Sequence, residues 1–218
     1  MPYRILETTH ASLMKHLKHL RHILVLRRIK QLKVVLSMIL NDISIDDLAI
    51  HHELISPYDP NNLQPCSYDV TLSKSIVRYI GSGEINASDK SLKDLEYFKF
   101  IIPDEGYILE PGEFILGSTN EFVNIPYDLA ARYEGKSSMG RIGLATHITA
   151  GFIDPGFSGD ITLEIKNENN HPIRIFPGIK IGQLCFFKLI GDVARPYGSA
   201  NLGSHYQNQH GPTPSKGM

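Results

Sequence analysis

The sequence contains no tryptophan, only two cysteines, and no apolar run approaching the roughly 20 residues that a membrane-spanning helix needs. Cys66 and Cys185 lie far apart, form no C-x-x-C pair and build no disulfide framework, so a reducing, cytoplasmic setting is expected. Neither G-x-G-x-x-G nor G-x-x-x-x-G-K-[ST] occurs, which argues against the glycine-rich phosphate cradles of Rossmann and Walker-type sites. A surplus of one charge is missing too: 22 basic and 23 acidic side chains leave a net charge of -1. That balance hides a division. Residues 1–37 hold eight of the basic side chains and a single acid, Glu7, so the remainder carries 14 basic and 22 acidic ones. An acidic body is ill-suited to nucleic-acid polymers, whose affinity comes largely from phosphate neutralisation. If it holds phosphates, it does so with a few placed cations.

What is present is a 218-residue chain, 42% hydrophobic, with 18 glycines and 13 prolines scattered along it. Such a chain is expected to form one domain with many short turns, plus an appendage. Residues 12–36 read as a basic amphipathic helix, with Leu13, Leu17, Leu20 and Leu24 on one face. A membrane-surface or targeting helix, a partner-binding helix and an upstream extension of little consequence all fit it. His16, His19 and His22 have metal-compatible spacing there, but no carboxylate or Cys joins them. From Met38 the texture changes. Asn41 or Ser44 can cap a short helix over 45–49, with Asp46 and Asp47 in its first turn. Short runs bounded by Gly, Pro, Asn and Asp follow at 67–73, 75–80, 106–119, 121–126, 129–135, 161–167, 172–178 and 181–189, the pattern of an all-β sandwich or barrel. The segment from Tyr197 onward is rich in Gly, Ser, Asn and Gln and reads as a mobile closing segment. The expected organisation is an extension over 1–37, a β domain over 38–196 and a closing segment over 197–218.

The informative stretch runs from Glu134 to Asn167. GKSSMGR supplies two cations, two hydroxyls and flanking glycines, so Lys136, Ser137, Ser138 and Arg141 can together grip a triphosphate. A solvated Ser/Gly turn is the plainer meaning of the same residues. In AGFIDPGFSG a single acid, Asp154, sits in a tight turn and can simply cap it. ITLEIKN alternates, placing Thr162 and Glu164 on one face and Ile161, Leu163 and Ile165 on the other.

Taken together, these pieces closely resemble the dCTP deaminase family, a branch of the trimeric dUTPase superfamily. The carriers are SSMGRIGL, IDPGFSG, the TLE strand, PGIKIGQLCFFKL, PYGS, YQNQHGPTPS and the upstream QPCSYD. The likeness spans about residues 38–216. It implies a distorted jelly-roll or β-barrel of the dUTPase type, with a few short helices, assembled as a homotrimer whose active sites lie between subunits. Within the family, Gly151 and Phe152 look like the bifunctional branch that carries dCTP on to dUMP and pyrophosphate. A deaminase releasing dUTP is the alternative, and a plain dUTPase comes third.

The resemblance assigns roles. Zinc deaminases need P-C-x-x-C to hold their metal, which Cys66 and Cys185 cannot supply, so Glu164 is the expected general base acting on water without zinc. Ser137 is expected to orient that water, and the backbone from Thr162 through Leu163 to Glu164 to read the pyrimidine. Lys136, Ser137, Ser138, Met139, Gly140 and Arg141 are expected around the phosphates, although Met139 suits packing better. Asp154 is placed at the deoxyribose 3′-hydroxyl, and Gln183, Tyr197 and Gln209 complete the nucleotide shell. Mg²⁺ is expected to ride on the triphosphate, with no metal cage in the protein. One position departs from the family: His205 stands where a Lys is usual. An imidazole is mostly neutral at pH 7, which predicts a triphosphate affinity that is weaker or that improves on acidification. His147 reads as a satisfied structural histidine. A non-enzymatic nucleotide sensor on the same trimer is the competing class, disfavoured because Glu164 and Arg141 are both present.

Overall fold

A computed structural model describes residues 39–87, 92 and 94–217. The expected amphipathic helix and its histidines lie outside them. The body opens with helix α1 (Asp42–His52). It starts because the extended Asn41 accepts the Ser44 N–H on its side chain at 3.1 Å. It stops at Glu53, which turns left-handed with φ 51°. Asn41 is thus the cap, and the helix is longer than the 45–49 segment expected.

The rest is β structure. In chain order come β1 (Ile55–Ser56), β2 (Leu63–Gln64), β3 (Ser67–Thr71), β4 (Ser75–Tyr79), β5 (Tyr97–Ile101), β6 (Tyr107–Leu109), β7 (Phe114–Asn124) and β8 (Leu129–Gly135). After the short helix α2 (Ser137–Gly140) follow β9 (Leu144–Ala145), β10 (Phe152–Ile153), β11 (Ser158–Asn167), β12 (Ile173–Ile175) and β13 (Lys180–Lys188). One sheet has the order β5-β4-β7-β11-β9, with β1 added on β7. A second runs β10-β8-β13-β3-β2, and β12 pairs with β6. A bridge between Leu72 and Thr119 ties the end of β3 to β7. Both larger sheets feed one apolar core containing Ile115, Leu163 and Ile165 from the first and Val70, Tyr133, Leu184 and Phe186 from the second. Each fully buried Leu or Ile contributes about 1.5–3 kcal/mol relative to exposure. The all-β expectation therefore holds, with two α-helices and a 3-10 turn at Pro60–Asn62 among the described residues.

Two details position the site. β11 alternates without a break between half-buried and buried positions, so Leu163 and Ile165 face the core while Thr162 and Glu164 face away. Opposite it, the runs expected separately at 106–119 and 121–126 contribute to a single strand, β7. Its pairing with β11 shifts register between Asp160 and Thr162, because Thr119, Asn120 and Glu121 stand against Ile161 alone.

Candidate active site

A cleft of about 400 Å³ opens beside β11. Thr162 and Glu164 enter it from that strand, Phe152, Ile153 and Asp154 from β10 and the turn after it, and Tyr197, Tyr206, Gln209, Thr213 and Ser215 from the closing segment. The turn at Asp154 forms because Pro155 fixes its second position and Gly156, with φ 87°, takes the left-handed third. The Phe157 N–H closes it on the Asp154 carbonyl at 3.1 Å.

Glu164 is held rather than loose. Its Oε2 accepts the main-chain N–H groups of Ile148 at 2.8 Å and Thr149 at 3.2 Å. Oε1 has no partner among the described residues, so one oxygen is anchored and the other is available to a ligand. Strand geometry adds a second feature. The Ile161 N–H bonds Thr119 on the β7 side, whereas the Asp160 N–H bonds the Gln209 carbonyl on the opposite side. Alternation then turns the main-chain groups of Thr162 and Glu164 outward, away from β7. On that outer edge β9 pairs only with Lys166 and Asn167, and the closing segment bridges at Gly159. Between these contacts the edge has no strand partner among the described residues. A planar ring with donors and acceptors along one side fits such an edge.

The closing segment is docked along the same strand, largely through its own main chain. Asn208 N–H bonds the Ser158 carbonyl at 2.7 Å, Gly211 N–H bonds Asp160 Oδ2 at 2.7 Å, and Thr213 N–H reaches Thr162 Oγ1 at 3.2 Å. Tyr197 N–H bonds the Pro155 carbonyl at 2.8 Å, and Tyr197 Oη accepts the Tyr206 N–H at 3.0 Å. The segment from Tyr197 thus has a defined position against the body.

Of the residues expected around the nucleotide, the single chain brings together Phe152, Asp154, Thr162, Glu164, Tyr197 and Gln209. Leu163 is fully buried on the core side, so only its backbone is offered to a ligand. Ser137, Ser138, Met139, Gly140 and Arg141 lie on α2 and just after it, outside the cleft lining, and Met139 packs against the core. Lys136 Nζ reaches both oxygens of Asp69, at 2.8 and 2.7 Å, and Asp69 is only 1% exposed. Gln183 also lies outside the cleft, on β13, where it accepts the Ser67 hydroxyl at 2.9 Å. His205 is outside as well; its carbonyl accepts Lys216 Nζ at 2.7 Å.

Gly151 is buried behind the cleft. Its carbonyl accepts the Tyr133 N–H at 2.7 Å, and a Cβ added there would come within 2.8 Å of the Tyr133 carbonyl. The adjoining Phe152 is 63% exposed. His147 stands edge-on to Tyr133 at 5.6 Å, with Nε2 3.9 Å from Glu134. It is packed as expected but not satisfied, since Nδ1 is buried with no hydrogen-bond partner among the described residues. Among the described residues no cluster of three or more His, Cys, Asp or Glu is arranged to hold a metal ion, and no helix is long and apolar enough to cross a membrane. Sequence reasoning missed Tyr79, Leu116, Phe157, Thr213 and Ser215 as cleft residues. Alternation along β4 and β7 marks which side chains share a face, but not that this face meets the closing segment.

Residues 39–189 match the family described as dCTP deaminase-like. The chain is 52% identical over 164 residues to a dUMP-forming dCTP deaminase of Nocardioides sp., which covers 74% of this chain and 85% of the relative. It is 50% identical over 182 residues to the enzyme of that name from Rhodococcus erythropolis and 48% identical over 182 residues to the one from Mycolicibacterium smegmatis. Each match covers 82% of this chain and 96% of the relative. Among solved structures the chain is similar in fold to a 2′-deoxycytidine 5′-triphosphate deaminase from Agrobacterium tumefaciens. The TM-score is 0.55 at 24% identity, over 69% of this chain and 48% of that one.

Proposed function

Because the chain belongs to the dCTP deaminase-like family, we propose that it converts dCTP and two waters to dUMP, pyrophosphate and ammonia. The observation that carries this reading is Glu164, anchored through one oxygen in a cleft whose neighbouring strand edge is free to meet a flat heterocycle. In the deamination, Glu164 takes a proton from a water that adds to C4 of cytosine and passes it to N3, then carries the proton of the new C4 hydroxyl to the amine as the C4–N bond breaks. Outward main-chain groups of Thr162 and Glu164 read the edge of the ring. Asp154 receives the 3′-hydroxyl of the sugar, and Tyr197 and Gln209 close over the nucleotide.

The phosphates fall to the α2 region in this reading. Lys136, braced by Asp69, fixes the start of the segment, and Ser137, Ser138, Gly140 and Arg141 present donors to a site completed by a neighbouring copy. A homotrimer with shared sites accounts for their place outside the single-chain cleft. Gln183 and His205 belong to the same shared shell. Two carboxylates, Asp154 and Glu164, do not make a metal cage, which suits a Mg²⁺ ion delivered with the triphosphate and offsetting its charge. Gly151 and Phe152 account for the second hydrolysis in this reading, with the Gly151 backbone packed too closely on the Tyr133 carbonyl to carry a side chain. The exposed Cys66 and half-buried Cys185 are free thiols, compatible with a cytoplasmic setting.

The test is product analysis after incubation with dCTP and Mg²⁺, with nucleotides separated by anion exchange and ammonia and pyrophosphate assayed. The expected result is dUMP and pyrophosphate without accumulating dUTP, and its loss in Glu164→Gln. Accumulation of dUTP alone would make the chain a single-step deaminase. Untouched dCTP with cleaved dUTP would make it a dUTPase.

A further inference from the structure

Beyond Tyr197, the closing segment lines the cleft from two stretches, first Tyr206 and Gln209, then Thr213 and Ser215. Most of its described bonds run back to the body, as with Thr213 to Thr162 and Ser215 N–H to Tyr79 Oη at 3.1 Å. Among the described residues, Lys216 joins the two stretches to each other. Lys216 Nζ donates to the His205 carbonyl at 2.7 Å and lies 5.4 Å from the centroid of the Tyr206 ring, and the Lys216 N–H reaches Tyr206 Oη at 3.3 Å. No carboxylate lies within ion-pairing distance of Lys216 among the described residues. Its hydrogen bonds and ring contact among the described residues go to His205 and Tyr206, from an exposed position.

Tyr206 is the side chain these contacts immobilise. Its N–H is held by Tyr197 Oη, its hydroxyl by the Lys216 main chain, and the face of its ring by the Lys216 ammonium. An aromatic wall contributes to ligand binding only when its orientation is fixed beforehand, since ordering it on binding costs affinity. We propose that Lys216 is a positioning residue: it clasps the two stretches of the closing segment together and thereby fixes Tyr206 as a wall of the nucleotide cleft. The role rests on the reading of the cleft as the dCTP site. It also explains how a chain with His at position 205 retains a cation at this place in its closing segment.

A clasp that acts equally on bound substrate and transition state changes KM and leaves kcat alone. Lys216→Met keeps the aliphatic stem and removes the cation. It is expected to raise the KM for dCTP about tenfold, less than the full loss of a cation–π contact and a charged hydrogen bond because Lys216 is exposed, with kcat close to that of the unaltered chain. Lys216→Arg restores a cation that both donates and stacks, and is expected to keep KM within about twofold. Tyr206→Leu is expected to raise KM by a similar factor, and adding Lys216→Met to it should raise KM no further. The clasp is also read without nucleotide, by limited proteolysis with an enzyme that cuts after Tyr and Phe. The Lys216→Met chain should be cut faster in its closing segment than the unaltered one. An unchanged KM in Lys216→Met, additive effects in the double variant or equal rates of cutting would each overturn the proposal. A chain that turns over no dCTP would overturn the function above, while the proteolysis still judges the clasp.

Discussion

At the scale of single residues, Glu164 owes its place in the cleft to the strand that carries it. Alternation alone separates Thr162 and Glu164 from Leu163 and Ile165, because the side-chain period of a strand is fixed at two. Lys136 is different. In the sequence it stands among residues expected to grip phosphate, yet its ammonium is bonded to Asp69, a partner 67 positions away. Nothing local in GKSSMGR reveals that pairing, which arises only when β3 and β8 both flank β13. Gly151 shows how a motif residue gains a physical reason. The resemblance singles it out, and the structure shows the Tyr133 carbonyl where a side chain would begin. Gly151→Ala must displace that carbonyl or the Tyr133 N–H bond, and overpacking of this kind costs ~1–3 kcal/mol. The expected outcome is a lower urea midpoint with an unchanged slope. An unaltered midpoint would mean that the backbone yields freely there.

At the scale of elements, the sequence revealed long strands better than their edges and joins. β5 escaped notice because Tyr97, Phe98 and Ile101 are all exposed on an edge strand, so its aromatic run shows no inside–outside alternation. β7 was read as two pieces because polar residues interrupt its apolar pattern at the register shift. Those residues are not idle. Glu121, 3% exposed, accepts the Thr71 N–H at 2.9 Å and the Thr71 hydroxyl at 2.8 Å. Burial raises its carboxyl above the ordinary 4.5, Thr71 opposes the shift, and the negative charge of Asp160 adds a smaller push upward. A carboxyl with a higher value folded than unfolded binds more protons in the folded state. Stability is therefore lost as pH rises from about 4.5 through the folded value. Glu121→Gln removes that titration while keeping an acceptor for Thr71. Melting temperatures taken from about pH 5 to about pH 8 should fall less with pH in the variant than in the unaltered chain. Parallel profiles would assign the slope to other groups.

At the scale of the whole molecule, the all-β class was legible from turn spacing, whereas the closure of the cleft was not. A Gly- and Ser-rich segment reads as mobile, because its composition has too little apolar surface to dock by burial. It docks instead by main-chain hydrogen bonds to β11, which composition does not encode. The residues proposed to hold the phosphates pose the complementary problem, since α2 and Arg141 lie outside the cleft of their own chain. If sites are shared between copies, two inactive variants should repair one another. Glu164→Gln and Arg141→Ala, unfolded together and refolded as a mixture, are expected to regain dUMP formation that neither shows alone, because some mixed sites draw both intact residues from different copies. A mixture as inactive as its parents would place both residues in one chain's site. The way the closing segment is fastened carries a consequence of its own. Strand β11 recognises the backbone from Asn208 to Thr213 far more than its side chains. A backbone grip does not distinguish a chain's own tail from an identical tail offered by a neighbour. Exchange of tails would keep every bond and change only how the ends are tethered, so the local concentration set by the tether decides whose tail closes which cleft.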